Sequence, residues 1–513
     1  MLRGMSLIVL ATLNARYIHS AFGLRYLKAN LGELESDCEI QEFDIGQRPI
    51  DICEKILDRS PKLVGFGVYI WNAVQTLQVV KLMRKIAPQV LIVLGGPEVS
   101  YETDEQEICR LADYVICFEG EQVFRTLATQ LLGGERPEQR VLRAATPDVT
   151  ALSFPYRLYN EKDIESRLIY VEASRGCPFT CEFCLSSLDI PVRQFDVEAF
   201  LIEMRLLFER GVRHFKFVDR TFNLNLRVSS RILEFFLELY QPGLFVHFEM
   251  VPDRLPQQLR NLIMRFPKGA LQFEVGIQSF NPEVGVNISR RQDFAKLAEN
   301  LTFLREQAAV HVHADLIVGL PGEKIESFAA GFNRLFALKP QEIQVGILKR
   351  LRGTPIVRHV EKFNLVFNPD PPYELLSNCD LDFATMQKLS RFSRYWDLIS
   401  NSGNFIEVSG HLLAQGEGAF EAFYAFSNWL FSRTGARHAF ALKALAELLY
   451  EYLTEICLLD KEIVAAALRA DYLRLGRSDL PACLDIGRHG AHEKVSAQGR
   501  QHARRQQRHD ANS

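Results

Sequence analysis

The 513-residue sequence predicts an α/β protein in three parts: a Rossmann-like, doubly wound parallel sheet, a run of six β/α units, and a helical region. Three observations predict it. Up to about residue 118, short apolar runs alternate with helix-like stretches. Strand-like runs then start near Leu168, His214, Phe245, Leu271, His311 and Ile343, spacings that fit successive β/α units. From about Pro371 the apolar residues fall three or four apart, the period of a helix. A composition of 47% hydrophobic and 24% charged residues is that of a globular protein, and a net charge of −3 advertises neither nucleic acid nor an acidic surface as partner.

In the first part (residues 1–140) the apolar runs are 6–12, 38–45, 63–69, 90–96 and 114–118. Ligands in such sheets sit beyond the carboxyl ends of the strands. The residues expected there are Asn14, Tyr17, His19 and Ser20 after the first run, and Gly67 and Tyr69, with Trp71 and Asn72, after the third. Gly95, Gly96, Pro97 and Glu98 follow the fourth, and Glu119, Gly120 and Glu121 the fifth. Glycine at a strand end lets a flat or phosphate-bearing ligand approach the backbone, although tight βα turns also use it for steric reasons alone. Residues 141–165, with Pro147 and Pro155, read as a linker.

The second part (residues 166–370) opens with a strand-like run at Leu168-Ile169-Tyr170-Val171, followed by Arg175-Gly176-Cys177-Pro178-Phe179-Thr180-Cys181-Glu182-Phe183-Cys184. The spacing is CxxxCxxC. Three thiolates so close can each bind one iron of a cubane cluster, and with no fourth ligand nearby one iron keeps an open position. An open metal position points to chemistry rather than scaffolding. A disulfide framework wants an oxidising compartment, yet the amino-terminal residues run into a strand without a cleavable signal. Structural zinc wants a second ligand pair, and no CxxC or HxxxH follows. The other cysteines, Cys38, Cys53, Cys109, Cys117, Cys379, Cys457 and Cys483, are scattered and read as buried fillers or inert thiols.

Along the runs 246–250, 272–278 and 311–316 one parity is apolar and the other is polar or glycine. Period two puts these sets on opposite faces. With helices packed outside, His247, Glu249, Gln272, Glu274, Gln278, His311, His313 and Asp315 are expected to face inward, making a polar chamber. Buried polar groups need partners. The deeper His311 and Gln272 are candidates for a structural network, while Asp219, Glu249, Gln278, Asp315 and Gly319 fall near the strand ends where active sites lie.

The cysteine string, with aromatic Phe183 before its third cysteine, resembles the signature of the radical SAM superfamily. That resemblance implies a partial (β/α)6 TIM-type barrel, a 4Fe–4S cluster on Cys177, Cys181 and Cys184, and reductive cleavage of S-adenosyl-L-methionine to a 5′-deoxyadenosyl radical. Phe217–Asn223, Glu274–Ser279, Asp315–Glu323 and Arg352–Pro355 resemble further segments of the same superfamily. By this resemblance Phe183, Asp219, Asn223, Glu249, Gln278, Arg291, Asp315, Ile317 and Gly319 would bind S-adenosylmethionine, Asp219 or Asn223 at its amine and Arg290 or Arg291 at its carboxylate. A Rossmann-like domain ahead of the barrel is similar to the cobalamin-binding members. It implies cobalamin contacts from Asn14, Tyr17, His19, Ser20, Gly67, Tyr69, Gly95, Gly96, Glu98, Glu119 and Gly120. The chain departs from cobalamin domains that supply an axial histidine from DxHxxG, for His19 is the region's single histidine and a packing or capping role competes for it.

The third part (residues 371–480) carries the stripe Phe420, Phe423, Phe426 and Leu430, a packing face weighed against a substrate surface. A helical cap there would exclude water from a radical, and the layout resembles radical SAM proteins with a helical carboxyl-terminal extension. Residues 481–513, rich in Arg, His and Gln, read as a disordered polar tail. The expected function is cobalamin-dependent methylation of an unactivated carbon, with a small molecule, peptide or RNA as substrate and a reductase, ferredoxin or flavodoxin as electron donor. Rearrangement or thiolation without methyl transfer is the first alternative, and a non-catalytic iron–sulfur or RNA-binding protein the second. No run approaches the roughly 20 apolar residues of a membrane span, so a cytoplasmic protein without a membrane partner is expected.

Overall fold

The structure, a computed structural model, describes residues 7–477, 480–484 and 505–510. They form two compact units, one drawn from residues 1–249, 349–358 and 367–374, the other from 250–348, 359–366 and 375–513.

The first unit begins with a six-stranded sheet: β1 (Ile8–Asn14), β2 (Cys38–Asp44), β3 (Leu63–Gly67), β4 (Leu91–Gly95), β5 (Tyr114–Cys117) and β6 (Val141–Arg143). Its order is β2-β1-β3-β4-β5-β6 with every pair parallel. The five expected strands all form. β1 is buried at every position and β3 likewise, which is why both read as continuous apolar runs rather than alternating ones. The sixth strand corrects the linker boundary: Val141 to Arg143 add an edge strand where a linker was expected. A three-residue, half-exposed edge gives no apolar signal strong enough to read.

The same unit carries the parallel strands β7 (Ile169–Val171), β10 (His214–Phe217) and the start of β11 (Phe245–Met250), with a small hairpin of β8 (Ser174–Arg175) and β9 (Arg193–Gln194) between the first two. The cysteine loop is the excursion between β8 and β9.

In the second unit β12 (Leu271–Gln278), β13 (His311–Val318) and β14 (Glu342–Ile347) are parallel neighbours in that order. Phe273, Val275 and Ile277 on β12 and Val312, Ala314, Leu316 and Val318 on β13 are buried, as the alternation predicts. Helix Phe383–Ile399 packs beside β14, its Ser393 hydroxyl bonding the Val345 carbonyl. Asn401 then treats β14 as a neighbouring strand would. Its side-chain amide accepts from Ile343 N at 3.0 Å and donates to Ile343 O at 2.9 Å, so the open edge is partly covered. Phe420, Phe423, Phe426 and Leu430 are all buried, a packing face as the period suggests.

The expected disordered tail needs correction. Residues 485–504 and 511–513 lie outside the described residues, but Arg505–Asp510 is a helix. Its polar composition hides the reason, which is a set of charge and hydrogen-bond partners rather than an apolar stripe. Arg505 reaches Glu342 (2.8 Å) and Asp397 (2.7 Å), and Gln506 donates to Gln272 (2.9 Å).

Candidate active site

The cysteine loop is anchored at its base by Asp219. This buried carboxylate, at the end of β10, accepts from Ala173 N (3.0 Å) and from the Ser174 hydroxyl (2.6 Å). Burial pushes its pKa up to about 6, against those hydrogen bonds. Asp219 therefore positions the loop. Gly176 enters the loop with φ +89°, and a Cβ there would meet the Asp189 and Pro191 carbonyls at 2.8 Å, so only glycine fits. Cys177 N donates to Asp189 O (2.9 Å) and Cys184 N to Cys181 O (3.2 Å). Cys177 and Cys181 are buried, Cys184 is half-buried, and none is in a disulfide. Among the described residues no three His, Cys, Asp or Glu side chains are already gathered as a metal-binding group. The donor set still fits a cluster: three unbridged thiols on one sheltered loop, with the backbone pinned at both ends of the excursion.

A cavity of about 870 Å³ lies in the same unit. It is lined by the carboxyl edge of the first sheet, at Gly67, Tyr69, Gly95, Gly96, Glu119 and Gly120, and by Gly176, Leu185 and Ser186 from the cysteine loop. Gly96, at φ +108°, is pressed so closely on the Val68 carbonyl that a Cβ would overlap it. The sheet thus presents bare backbone to the cavity.

The expected residues after β1 are elsewhere. Asn14 donates to His19 O (2.9 Å) and Glu42 (3.3 Å), His19 Nδ1 meets the Tyr170 hydroxyl (2.7 Å), and Ser20 donates to Leu168 O (2.7 Å). Tyr17 lies on the surface between Arg167 and Lys162. None of the four lines the cavity, because the chain before β7 covers the end of β1. His19, its pKa held down by burial and by Lys216 and Arg16, is a packing residue, as its competing reading allowed. Glu98 is also drawn away: it accepts from the Tyr373 hydroxyl (2.6 Å) and Arg352 (3.0 Å), tying the 349–358 and 367–374 segments to the sheet.

Sequence reasoning missed the most connected residue of the site. Arg175, on the cysteine string itself, pairs with Glu119 (2.7 Å), Glu121 (2.7 Å) and Glu172 (2.9 Å) and stacks over Tyr26. Burial works to raise the Glu119 carboxyl, but hydrogen bonds from Arg193 and Arg175 hold it below the usual range. Burial lifts Glu172 to about 7 despite Arg175. An arginine inside a conspicuous motif three residues from a glutamate was the available signal.

In the second unit, Gln278 sits at φ +70° with its side-chain Oε1 buried and without a hydrogen-bond partner. Arg290 bonds the Gly276 carbonyl, while Arg291 is exposed beside a small recess of about 210 Å³. His313 and Asp315 lie 3.4 Å apart. Burial opposes charge on His313, yet Asp315 and Glu342 push its pKa up to about 9. Deeper, His311 meets Glu342 at 3.0 Å and Gln272 meets Gln506, the structural network expected of those two residues. Gly319 holds φ +88° under Leu375, with Asn378 donating to its carbonyl at 3.4 Å, and Ile317 is half-buried one turn of the strand earlier. In the first unit Glu249 is paired with Arg220 (2.8 Å), Asn223 is buried and Phe183 is half-buried.

Comparison with known proteins accords with this geometry. Residues 8–128 match the B12 binding domain and residues 171–334 the radical SAM superfamily. The chain joins a B12-binding domain to a radical SAM domain. Residues 361–512 match a family described only as a protein of unknown function, DUF4080, which reaches through the helix Arg505–Asp510. An uncharacterized methyltransferase of Pyrococcus horikoshii is 26% identical over 67% of this chain and 79% of its own length. The cobalamin-dependent radical SAM methyltransferase TokK of Streptomyces tokunonensis is 23% identical over 61% of this chain, which spans about half (51%) of that relative. The fold is that of the radical SAM methyltransferase TsrM from Kitasatospora setae, solved with cobalamin and a 4Fe–4S cluster bound: TM-score 0.56, 18% identity, 71% of this chain and 76% of that one. No helix among the described residues is long and apolar enough to cross a membrane.

Proposed function

We propose that this protein is a cobalamin-dependent radical SAM methyltransferase acting on an unactivated carbon. One observation carries the reading. Residues of the cysteine loop and the bare glycine edge of the first sheet line one cavity, so a cluster-bound sulfonium and a corrin would share an enclosure. A 4Fe–4S cluster on Cys177, Cys181 and Cys184 would supply the electron that cleaves S-adenosylmethionine, and cobalamin would supply the methyl group. The chain's own residues position and shelter. Asp219 and Gly176 fix the loop that carries the thiols. Gly95, Gly96 and Gly120 leave room for a flat ring, and Tyr69, stacked on Trp71 with ring centroids 4.4 Å apart, gives the floor an aromatic rim. An electron donor of the ferredoxin or flavodoxin kind completes the proposal.

Anaerobic reconstitution with iron, sulfide and hydroxocobalamin tests it, with product analysis under a reductant. 5′-Deoxyadenosine together with S-adenosylhomocysteine is expected from the intact chain, and neither from Cys177→Ala. Deoxyadenosine without S-adenosylhomocysteine from a cobalamin-loaded protein would replace methyl transfer by rearrangement or thiolation.

A further inference from the structure

The helix Lys461–Arg474 is apolar on two opposite faces, and the chain covers one of them. Val464, Ala465, Ala467, Leu468 and Tyr472 are buried against the helices Ile406–Leu413 and Leu442–Glu451. On the other side Ile463 and Leu473 are 53% and 66% exposed, with exposed Ala466 and Ala470 between them. A helix that is apolar all round belongs in an interior. The four outer residues follow one another at three, four and three positions, the a/d seam of a coiled coil. Ile456 and Leu458, in the turn that leads into the helix, add side chains 55% and 80% exposed. A specific interface takes about 1,000 Å² in all, about 500 Å² from each side, and these four large side chains with the two alanines supply an area of that order. The residues that follow the helix are a poor cover for it: among 485–504 the large apolar side chains are Ile486 and Val495 alone.

The seam has the same pattern in both directions, large, small, small, large. Turned end for end about its midpoint, it sets Ile463 on Leu473 of a second copy and Ala466 on Ala470, and the small pair lets the two backbones come close. Self-complementarity of this kind is what a two-fold interface requires. Antiparallel pairing also opposes the two helix dipoles and brings Glu462 of one copy to the edge of the seam that carries Arg469 of the other, an attraction of opposite charges. Asp460 fixes where the seam starts, its carboxylate accepting from Glu462 N (2.8 Å) and Ile463 N (3.2 Å). We propose that the chain forms a homodimer by antiparallel pairing of helix Lys461–Arg474 with the same helix of a second copy.

Sedimentation equilibrium of the full-length protein over a concentration series tests this. The wild type is expected to reach twice the mass of a single chain. Ile463→Lys and Leu473→Glu, both on the exposed face, are each expected to weaken the dimer at least tenfold, with an unchanged circular dichroism spectrum as the check on folding. The two substitutions together are expected to restore it to within about threefold of the wild type, because end-for-end pairing sets each new charge against its opposite. A wild type that stays monomeric throughout would overturn the proposal and leave the seam to a different protein. A dimer that neither single substitution weakens, or one that the double substitution does not restore, would overturn it equally.

Discussion

Two buried polar clusters in this molecule, one in each compact unit, use the same residue types to opposite ends. Around Arg175, three glutamates surround a guanidinium at the wall of a large cavity. Around Glu342, His311, His313 and Arg505 close on a single carboxylate at the amino ends of β13 and β14, and the helix Arg505–Asp510 covers it. The lesson is that a polar interior is not by itself a binding site. A cluster covered by its own chain is structure, and one that lines a cavity is open to a ligand.

The largest effect that would sharpen the contrast is Arg175→Met. It leaves three glutamates without their shared cation, and a loss of about 3–5 kcal/mol in urea unfolding is expected, together with loss of corrinoid retention. If stability were unchanged, the carboxylates would not depend on Arg175 and the comparison would fail. Next comes shape rather than charge. Gly96→Ala combines a positive φ with overlap on the Val68 carbonyl and should cost about 2–3 kcal/mol. Gly95→Ala, whose Cβ would have its nearest neighbour, the Ile116 carbonyl, at 3.8 Å, should leave stability within about 0.5 kcal/mol and still weaken corrinoid binding.

The closed cluster answers to pH. His313 has its pKa raised from 6.5 to about 9, so its share of stability is complete below about pH 6.5 and is lost as pH rises through 9. Between pH 6.5 and 9.5 the urea midpoint should fall by the equivalent of about 1–2 kcal/mol, and His313→Asn should abolish that slope. Glu172 in the open cluster behaves in the same sense over a lower window, its contribution fading between its ordinary value of 4.5 and about 7. The smaller of the two charge-removal effects is Arg505→Ala, about 1 kcal/mol, because His311 still partners Glu342 and Arg505 is partly solvated. A loss matching that of Arg175→Met would mean that the terminal helix carries as much as the cavity wall.

Spacing and period were enough, on their own, for every parallel strand but β6, for the helical third part and for the cysteine loop. They are local properties: CxxxCxxC puts three thiols on one loop whatever surrounds it, and the parity of β12 and β13 sorts their side chains before any helix is placed. Gly67, Gly95, Gly96 and Gly120 were legible for the same reason, since a strand end is a position along the chain. The structure alone decided which strand ends are open. Asn14, His19 and Ser20 occupy such a position on β1, but the segment entering β7 covers them, and that covering depends on residues about 150 positions away. Arg175, Glu121 and Glu172 acquire their meaning only when three separate stretches of chain converge. The helix Arg505–Asp510 exists where charge partners wait for it. Partnership between distant side chains has no periodicity to leave in a sequence, so the folded chain alone fixes which polar groups are satisfied.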